Sequence, residues 1–70
     1  MTRQDILINK AVQFAFDHGY DVQDKEITYA VVGTNDIIVF VDMDDMTFLE
    51  IKIDAAGECI ELKVENFPAP

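Results

Sequence analysis

Apolar and charged residues alternate along most of two neighbouring stretches of the sequence, residues 47–53 and 59–65. The apolar positions of the two stretches are Leu49, Ile51, Ile53, Ile60, Leu62 and Val64. Successive side chains of a β-strand point to opposite faces, so this period of two predicts two strands whose apolar positions face inward. The turn residues 55–58 between them indicate a hairpin. A sheet with one such apolar face needs another layer to cover it.

The covering layer is predicted at the N-terminal end, where residues 3–18 read as one amphipathic helix. Thr2 is a candidate N-cap with Asp5 three residues later, and Gly19 stands where a helix is often followed by a left-handed residue. The helix stripe predicted to face the sheet consists of Leu7, Ile8, Ala11, Val12, Phe14 and Ala15. One face of the sheet therefore has its cover.

Two further strands are predicted between the helix and the alternating stretches, at residues 27–32 and 37–42. Residues 33–36 form a turn signal between these strands, and Met43-Asp44-Asp45 reads as a three-residue connection to the third strand. The sequence thus predicts an α+β fold with one N-terminal helix packed on an antiparallel four-stranded β-meander, in the order α-β-β-β-β. Residues 1–70 are expected to form a single domain.

The second strand is apolar on both faces. If its odd-numbered residues join the core, Ile38 and Phe40 point away from it, beside Phe48 of the third strand. One helix cannot cover both faces of the sheet. We therefore predict an interface at Ile38, Phe40 and Phe48, occupied by a second copy in a homodimer or by a protein partner.

Charge and cysteine content restrict the compartment and the partners. Fourteen acidic and five basic side chains give a formal net charge of −9, which repels phosphate backbones and argues against direct nucleic-acid binding. The single cysteine, Cys59, cannot form an internal disulfide. With no signal-peptide pattern and no long apolar run, we expect a cytoplasmic chain with no membrane partner.

The segment Glu50-Ile51-Lys52, taken with Asp36, forms the constellation most suited to chemistry. Carboxylates of Asp36 and Glu50 with the backbone carbonyl of Ile51 have the oxygen chemistry that Mg²⁺ prefers, and Lys52 could orient or deprotonate a metal-bound water. The two carboxylates share a face of the sheet only if the numbers of opposed residues in the second and third strands add up to an even value. A three-residue connection between those strands satisfies this condition. An alternating solvated face is the competing interpretation, because Glu61-Leu62-Lys63 repeats the same pattern.

These residues resemble the YraN-type family of restriction-endonuclease-like proteins, with a core pattern of Gly-Glu-x-Asp, a hydrophobic strand, and Phe-Val-Glu-Val-Lys. The counterparts are Gly33-Thr34-Asn35-Asp36 and Phe48-Leu49-Glu50-Ile51-Lys52, and the helix segment leading into His18-Gly19-Tyr20 is also similar. The resemblance is to the N-terminal half of that family and implies a truncated restriction-endonuclease-like core. It implies Asp36 and Glu50 as Mg²⁺ ligands and Lys52 as the catalytic lysine. Thr34 departs from the pattern, where the family has glutamate.

Two functions follow as expectations. The first is a small nuclease-like domain with a Mg²⁺-dependent phosphodiesterase site, degenerate or intact. The second is a non-catalytic acidic protein-binding module or inhibitor that mimics nucleic acid, of a mobile-element type. The charge balance favours binding over retained catalysis, because a nuclease needs a basic approach for its substrate.

Overall fold

The computed structural model describes residues 1–68, and within them one helix precedes a four-stranded antiparallel sheet with strands in the order β1-β2-β3-β4. The elements are α1 (Arg3–Asp17), β1 (Glu26–Val32), β2 (Asp36–Asp42), β3 (Thr47–Ile53) and β4 (Cys59–Asn66). The predicted α-β-β-β-β meander is confirmed. The boundaries differ from the predicted ones by one residue: α1 ends one residue earlier, β1 and β2 begin one earlier, and β4 ends one later.

Local hydrogen bonds define both ends of α1. The Thr2 hydroxyl accepts from the Asp5 backbone N–H at 3.2 Å, and the Asp5 carboxylate accepts from the Thr2 N–H at 3.3 Å, which completes the capping box. At the other end, Gly19 has a φ of +91°, and the N–H of Tyr20 reaches back to the carbonyl of Ala15 at 3.0 Å. This is a Schellman motif, in which a left-handed glycine satisfies the last helix carbonyls.

The capping box gives a first prediction. Thr2→Ala removes the hydroxyl that accepts from Asp5, and we expect a loss of about 1 kcal/mol in the free energy of unfolding. Urea titration followed by circular dichroism measures it. Thr34→Ala, in the exposed turn between β1 and β2, is the matched control. Equal losses in the two variants would contradict a specific role for the cap.

The core lies between α1 and the odd-numbered face of β2 and β3. Its fully buried members are Leu7, Ala11, Ala15, Val22, Ile37, Val39, Val41, Leu49, Ile51 and Ile53. The two alanines carry no side chain beyond Cβ, so the helix backbone can lie close to the sheet. Val22 belongs to this core although its neighbours in the connector before β1 are polar, and the sequence pattern gave it no such role.

Ile60 and Val64 were predicted to face inward, but both are more than half exposed. A bulge interrupts the pairing of β3 with β4, so that Cys59 lies opposite Ile53 and Ile60 is an extra residue, 53% exposed. Val64 lies opposite Leu49, as the alternation requires, but is 52% exposed because β4 is the edge of the sheet. Leu62 alone among the predicted inward residues of β4 packs against the core.

The connection between β2 and β3 also differs from its prediction. A three-residue loop at 43–45 would place Asp42 opposite Met46, whereas Asp42 lies opposite Phe48. The Asp44 carboxylate fixes this loop, accepting from the N–H groups of Met46 and Thr47 at 2.8 Å each. These hydrogen bonds lower the pKa of Asp44, led by the one from Met46. Its contribution to stability is therefore lost only as the pH falls through that lowered pKa.

Candidate functional site

The side of the sheet away from α1, here called the open face, carries the predicted site and the predicted interface. Its residues are Glu26, Thr28, Ala30, Val32, Asp36, Ile38, Phe40, Asp42, Phe48, Glu50, Lys52, Glu61, Lys63 and Glu65, as the strand register assigns them. The core residues of β2 and β3 all lie on the opposite side. The prediction that β2 is apolar on both faces is therefore confirmed.

Asp36, Glu50 and Lys52 line one groove on the open face, with a volume of about 200 Å³. The sequence numbers of two opposed residues in β2 and β3 always add up to an even value, as for Phe40 opposite Glu50. The N–H of Met43 donates to the carbonyl of Thr47 at 3.1 Å, so the loop lies one residue further along the chain than predicted. This displacement changes the sum of opposed residue numbers by two and so preserves which side chains share a face. The structure thus brings the three residues to the same groove.

The same register sets a distance between the two carboxylates. Ile38 lies opposite Lys52 and Phe40 lies opposite Glu50, so Asp36 is four residues along β2 from the position facing Glu50. At 3.3 Å per residue this is about 13 Å along the strand. Within residues 1–68 no group of three or more His, Cys, Asp or Glu side chains is arranged to hold a metal ion.

Ile51 was predicted to supply a backbone carbonyl to the metal. Its side chain is fully buried on the helix side, and its backbone lies in the middle of β3 with Val39 on one side and Leu62 on the other. The metal-ligand roles of Asp36, Glu50 and Ile51, and the catalytic role of Lys52, stay predictions.

The charged neighbours of Glu50 include two carboxylates, Glu65 and Glu61, and one ammonium group, that of Lys63. Burial raises the pKa of Glu50, and the Glu65 carboxylate raises it further by repulsion and by a hydrogen bond to the protonated form. Lys63, directly opposite Glu50 in β4, acts in the other direction. Lys63 is itself paired with Glu61 at 3.0 Å, and the hydrogen bond to Glu61 raises the pKa of Lys63.

This cluster makes the effect of Glu50 on stability depend on pH. A carboxyl with a raised pKa in the folded state binds its proton more readily than in the unfolded chain, so its ionised form disfavours folding at pH 7. Glu50→Gln is expected to raise the free energy of unfolding at pH 7, by less than about 1 kcal/mol because solvent screens the repulsion. The advantage should shrink as the pH is lowered and wild-type Glu50 takes up its proton.

Chemical denaturation at a series of pH values measures this difference. Glu58→Gln removes an equal charge from an exposed turn position and serves as the control. A Glu50→Gln variant less stable than wild type at pH 7 would contradict the repulsion.

A second groove on the open face is aromatic. The ring centroids of Phe40 and Phe48 are 5.9 Å apart and those of Phe48 and Phe67 are 5.0 Å apart; these three residues are called the aromatic patch. With Thr28, Asp42 and Pro68 they line a groove of about 300 Å³. Of the predicted interface residues, Phe40 and Phe48 meet here, and Ile38 lines the groove of Asp36 and Glu50 instead.

Phe67 was not among the predicted site residues, and it directly precedes Pro68, which cannot continue a strand. Its backbone N–H donates to the carbonyl of Met46 at 2.9 Å, which carries the pairing of the chain one residue past β4. The available signal was an aromatic residue before the first proline, where a strand can still donate one hydrogen bond.

Within residues 1–68 no helix has the length and apolar character needed to cross a membrane. Comparison with protein-family models, curated proteins and solved structures finds no match to this chain. The resemblance to the YraN-type family therefore rests on the residues quoted for it and stays a prediction.

Proposed function

We propose that this chain is a non-catalytic acidic binding module that holds a basic protein partner on its aromatic patch. The observation that carries the proposal is the patch itself. Phe40, Phe48 and Phe67 cluster on the side of the sheet that α1 leaves open, in a chain with a net charge of −9. Clustered aromatic residues supply most of the binding energy in many protein interfaces.

Carboxylates lie around the patch and define the chemistry of the partner. Asp42 lines the aromatic groove, Glu26 lies opposite Asp42, and Glu65 lies opposite Phe48. A complementary surface has apolar side chains at its centre and lysine or arginine at its rim. Such surfaces occur on proteins that handle nucleic acid, so the module would act as an inhibitor or mimic there. A nucleic acid would itself be repelled.

A reducing compartment suits this role. Cys59 is a free, half-buried cysteine, and burial raises the pKa of its thiol, which keeps it protonated and unreactive. A cytoplasmic location is part of the proposal.

Peptide selection with a charge-preserving counter-selection tests the proposal. A random displayed library is first depleted on the Phe40→Ser/Phe48→Ser variant, which keeps every charged group, and is then selected on wild type. Depletion removes peptides that bind only through charge. We expect the survivors to combine basic residues with aromatic or aliphatic ones, and to perturb the amides around Phe40 and Phe48 in NMR spectra. Survivors that are acidic, or that bind on α1, would contradict the proposal.

A second candidate function, the Mg²⁺-dependent nuclease-like site, is favoured by one observation. Asp36, Glu50 and Lys52 line the same groove, as an Asp…Glu-x-Lys site requires. If this candidate holds, Mg²⁺ or Mn²⁺ titrated into labelled protein shifts the amides near Asp36 and Glu50 selectively. Those shifts should disappear in Glu50→Gln, whereas diffuse shifts over all acidic residues would exclude it. The separation of about 13 Å along β2 places the binding module first.

A further inference from the structure

The outer edge of β4 has a self-complementary pattern. β4 is the last strand of the sheet, and Ile60 and Val64, both more than half exposed, stand on either side of Leu62. Between them lie Glu61 and Lys63, paired with each other within the strand at 3.0 Å. The segment therefore reads apolar, acidic, apolar, basic, apolar in one direction and exchanges acidic for basic in the other.

We propose that β4 pairs antiparallel with β4 of a second copy of this chain, with the two-fold axis passing through Leu62. In this register Ile60 of one copy lies opposite Val64 of the other, and Glu61 lies opposite Lys63. Each opposite-charge pair occurs twice because the interface is symmetric. Cross-strand apolar and opposite-charge pairs of this kind stabilise sheets.

The charges select this register over its neighbours. Centring the pairing on Glu61 would set the two Glu61 carboxylates against each other, and centring it on Lys63 would set the two ammonium groups against each other. In a register where the numbers of two opposed residues add up to an odd value, the apolar residues of one copy would lie on the same side as the charged residues of the other. Centring it on Val64 would oppose Lys63 to Glu65, but it would leave Glu61 opposite Phe67 and set Ile60 opposite Pro68, which has no backbone N–H to donate. Pairing through Leu62 avoids these conflicts and gives both charged residues a partner of opposite charge.

The opposite edge of the sheet lacks such a pattern. Within β1 the only charged residue is Glu26, at its first position, so nothing in that strand fixes a register or identifies what would pair with it. A lysine in an edge strand usually discourages pairing. In β4 the lysine has a matching glutamate on the second copy, so it selects for self-pairing.

The dimer is independent of the proposed function, because it uses the edge of the sheet and leaves the aromatic patch of each copy free. The two sheets would form one continuous sheet with both open faces on the same side. Failure of the dimer leaves the patch untouched, and failure of peptide binding leaves the edge untouched.

Two complementary charge variants test the pairing. Glu61→Lys presents two basic residues and Lys63→Glu presents two acidic ones, so each variant opposes like charges in its own dimer. We expect each alone to dimerise at least about tenfold more weakly than wild type in sedimentation equilibrium. Mixed together they should form a heterodimer, because every lysine again meets a glutamate. Asp24→Lys makes the same change in charge as Glu61→Lys at an exposed position in the connector before β1, and it should dimerise like wild type.

The doubly exchanged chain is avoided, because it would set like charges opposite both Lys52 and Glu50 within each copy, whereas each single variant introduces only one such pair. Circular dichroism checks that each single variant folds. Disulfide trapping gives a second test in a Cys59→Ser background. Leu62→Cys should cross-link, since the two Cα atoms on the axis would be about 4.5–5.5 Å apart.

Three results would overturn the proposal. These are wild type that sediments as a monomer throughout a dilution series, single charge variants that dimerise like wild type, and cross-linking through Tyr29→Cys on β1 in place of Leu62→Cys.

Discussion

Leu49→Ala is expected to lower the free energy of unfolding by about 3–4 kcal/mol. Leu49 has no exposed surface and lies in the middle strand pair of the core, opposite Val41. A domain of this size is held together by only about 3–5 kcal/mol, so this one truncation removes most of its stability. The variant should show collapsed amide dispersion in NMR spectra and a urea midpoint close to zero.

The control is Val31→Ala, a truncation in β1 at a side chain that is 63% exposed. Its loss should stay below about 0.5 kcal/mol, since little apolar area leaves the core. If Leu49→Ala cost as little as the control, the sheet and helix would not enclose a common core. The burial assigned to β3 would then be wrong.

The fold was predictable because its two periodicities are strong and consistent. The stripe of α1 and the alternation of β3 each specify one buried face, and Gly19 marks where the helix ends. The bulge in β4 was not predictable, because Ile60 is apolar and fits the alternation as well as Cys59 does. Only the three-dimensional pairing with Ile53 distinguishes them.

The site was predictable in part for a related reason. Whether Asp36 and Glu50 share a face depends only on whether the loop between β2 and β3 has an odd number of residues. The prediction that they share a face was therefore correct. The distance between them depends on the full register, which Asp44 sets by accepting from Met46 and Thr47. An aspartate in an acidic loop gives no sign in the sequence of which backbone groups it will bind. The residues of β4 that lie beside Glu50 were not predicted either, because they too depend on the register of strand pairing.

Phe48→Ser is expected to weaken binding of a peptide selected on the aromatic patch by at least about 30-fold. Phe48 is the centre of the patch, because its ring contacts those of both Phe40 and Phe67. Titration calorimetry measures the affinity, and the net charge is unchanged by the substitution. The fold should survive, since Phe48 lies outside the core cluster.

Phe16→Ser is the matched control, because Phe16 is 62% exposed on α1 and loses the same ring. An exposed phenylalanine that merely adds apolar area would give equal losses at the two positions. If the patch binds a specific partner, only the Phe48 substitution lowers the affinity for the peptide. The affinity should also fall at high salt if the surrounding carboxylates take part in binding. If Phe48→Ser bound as tightly as wild type, the aromatic patch would not be the binding site. The groove of Asp36, Glu50 and Lys52 would then be the part of the open face left to explain function.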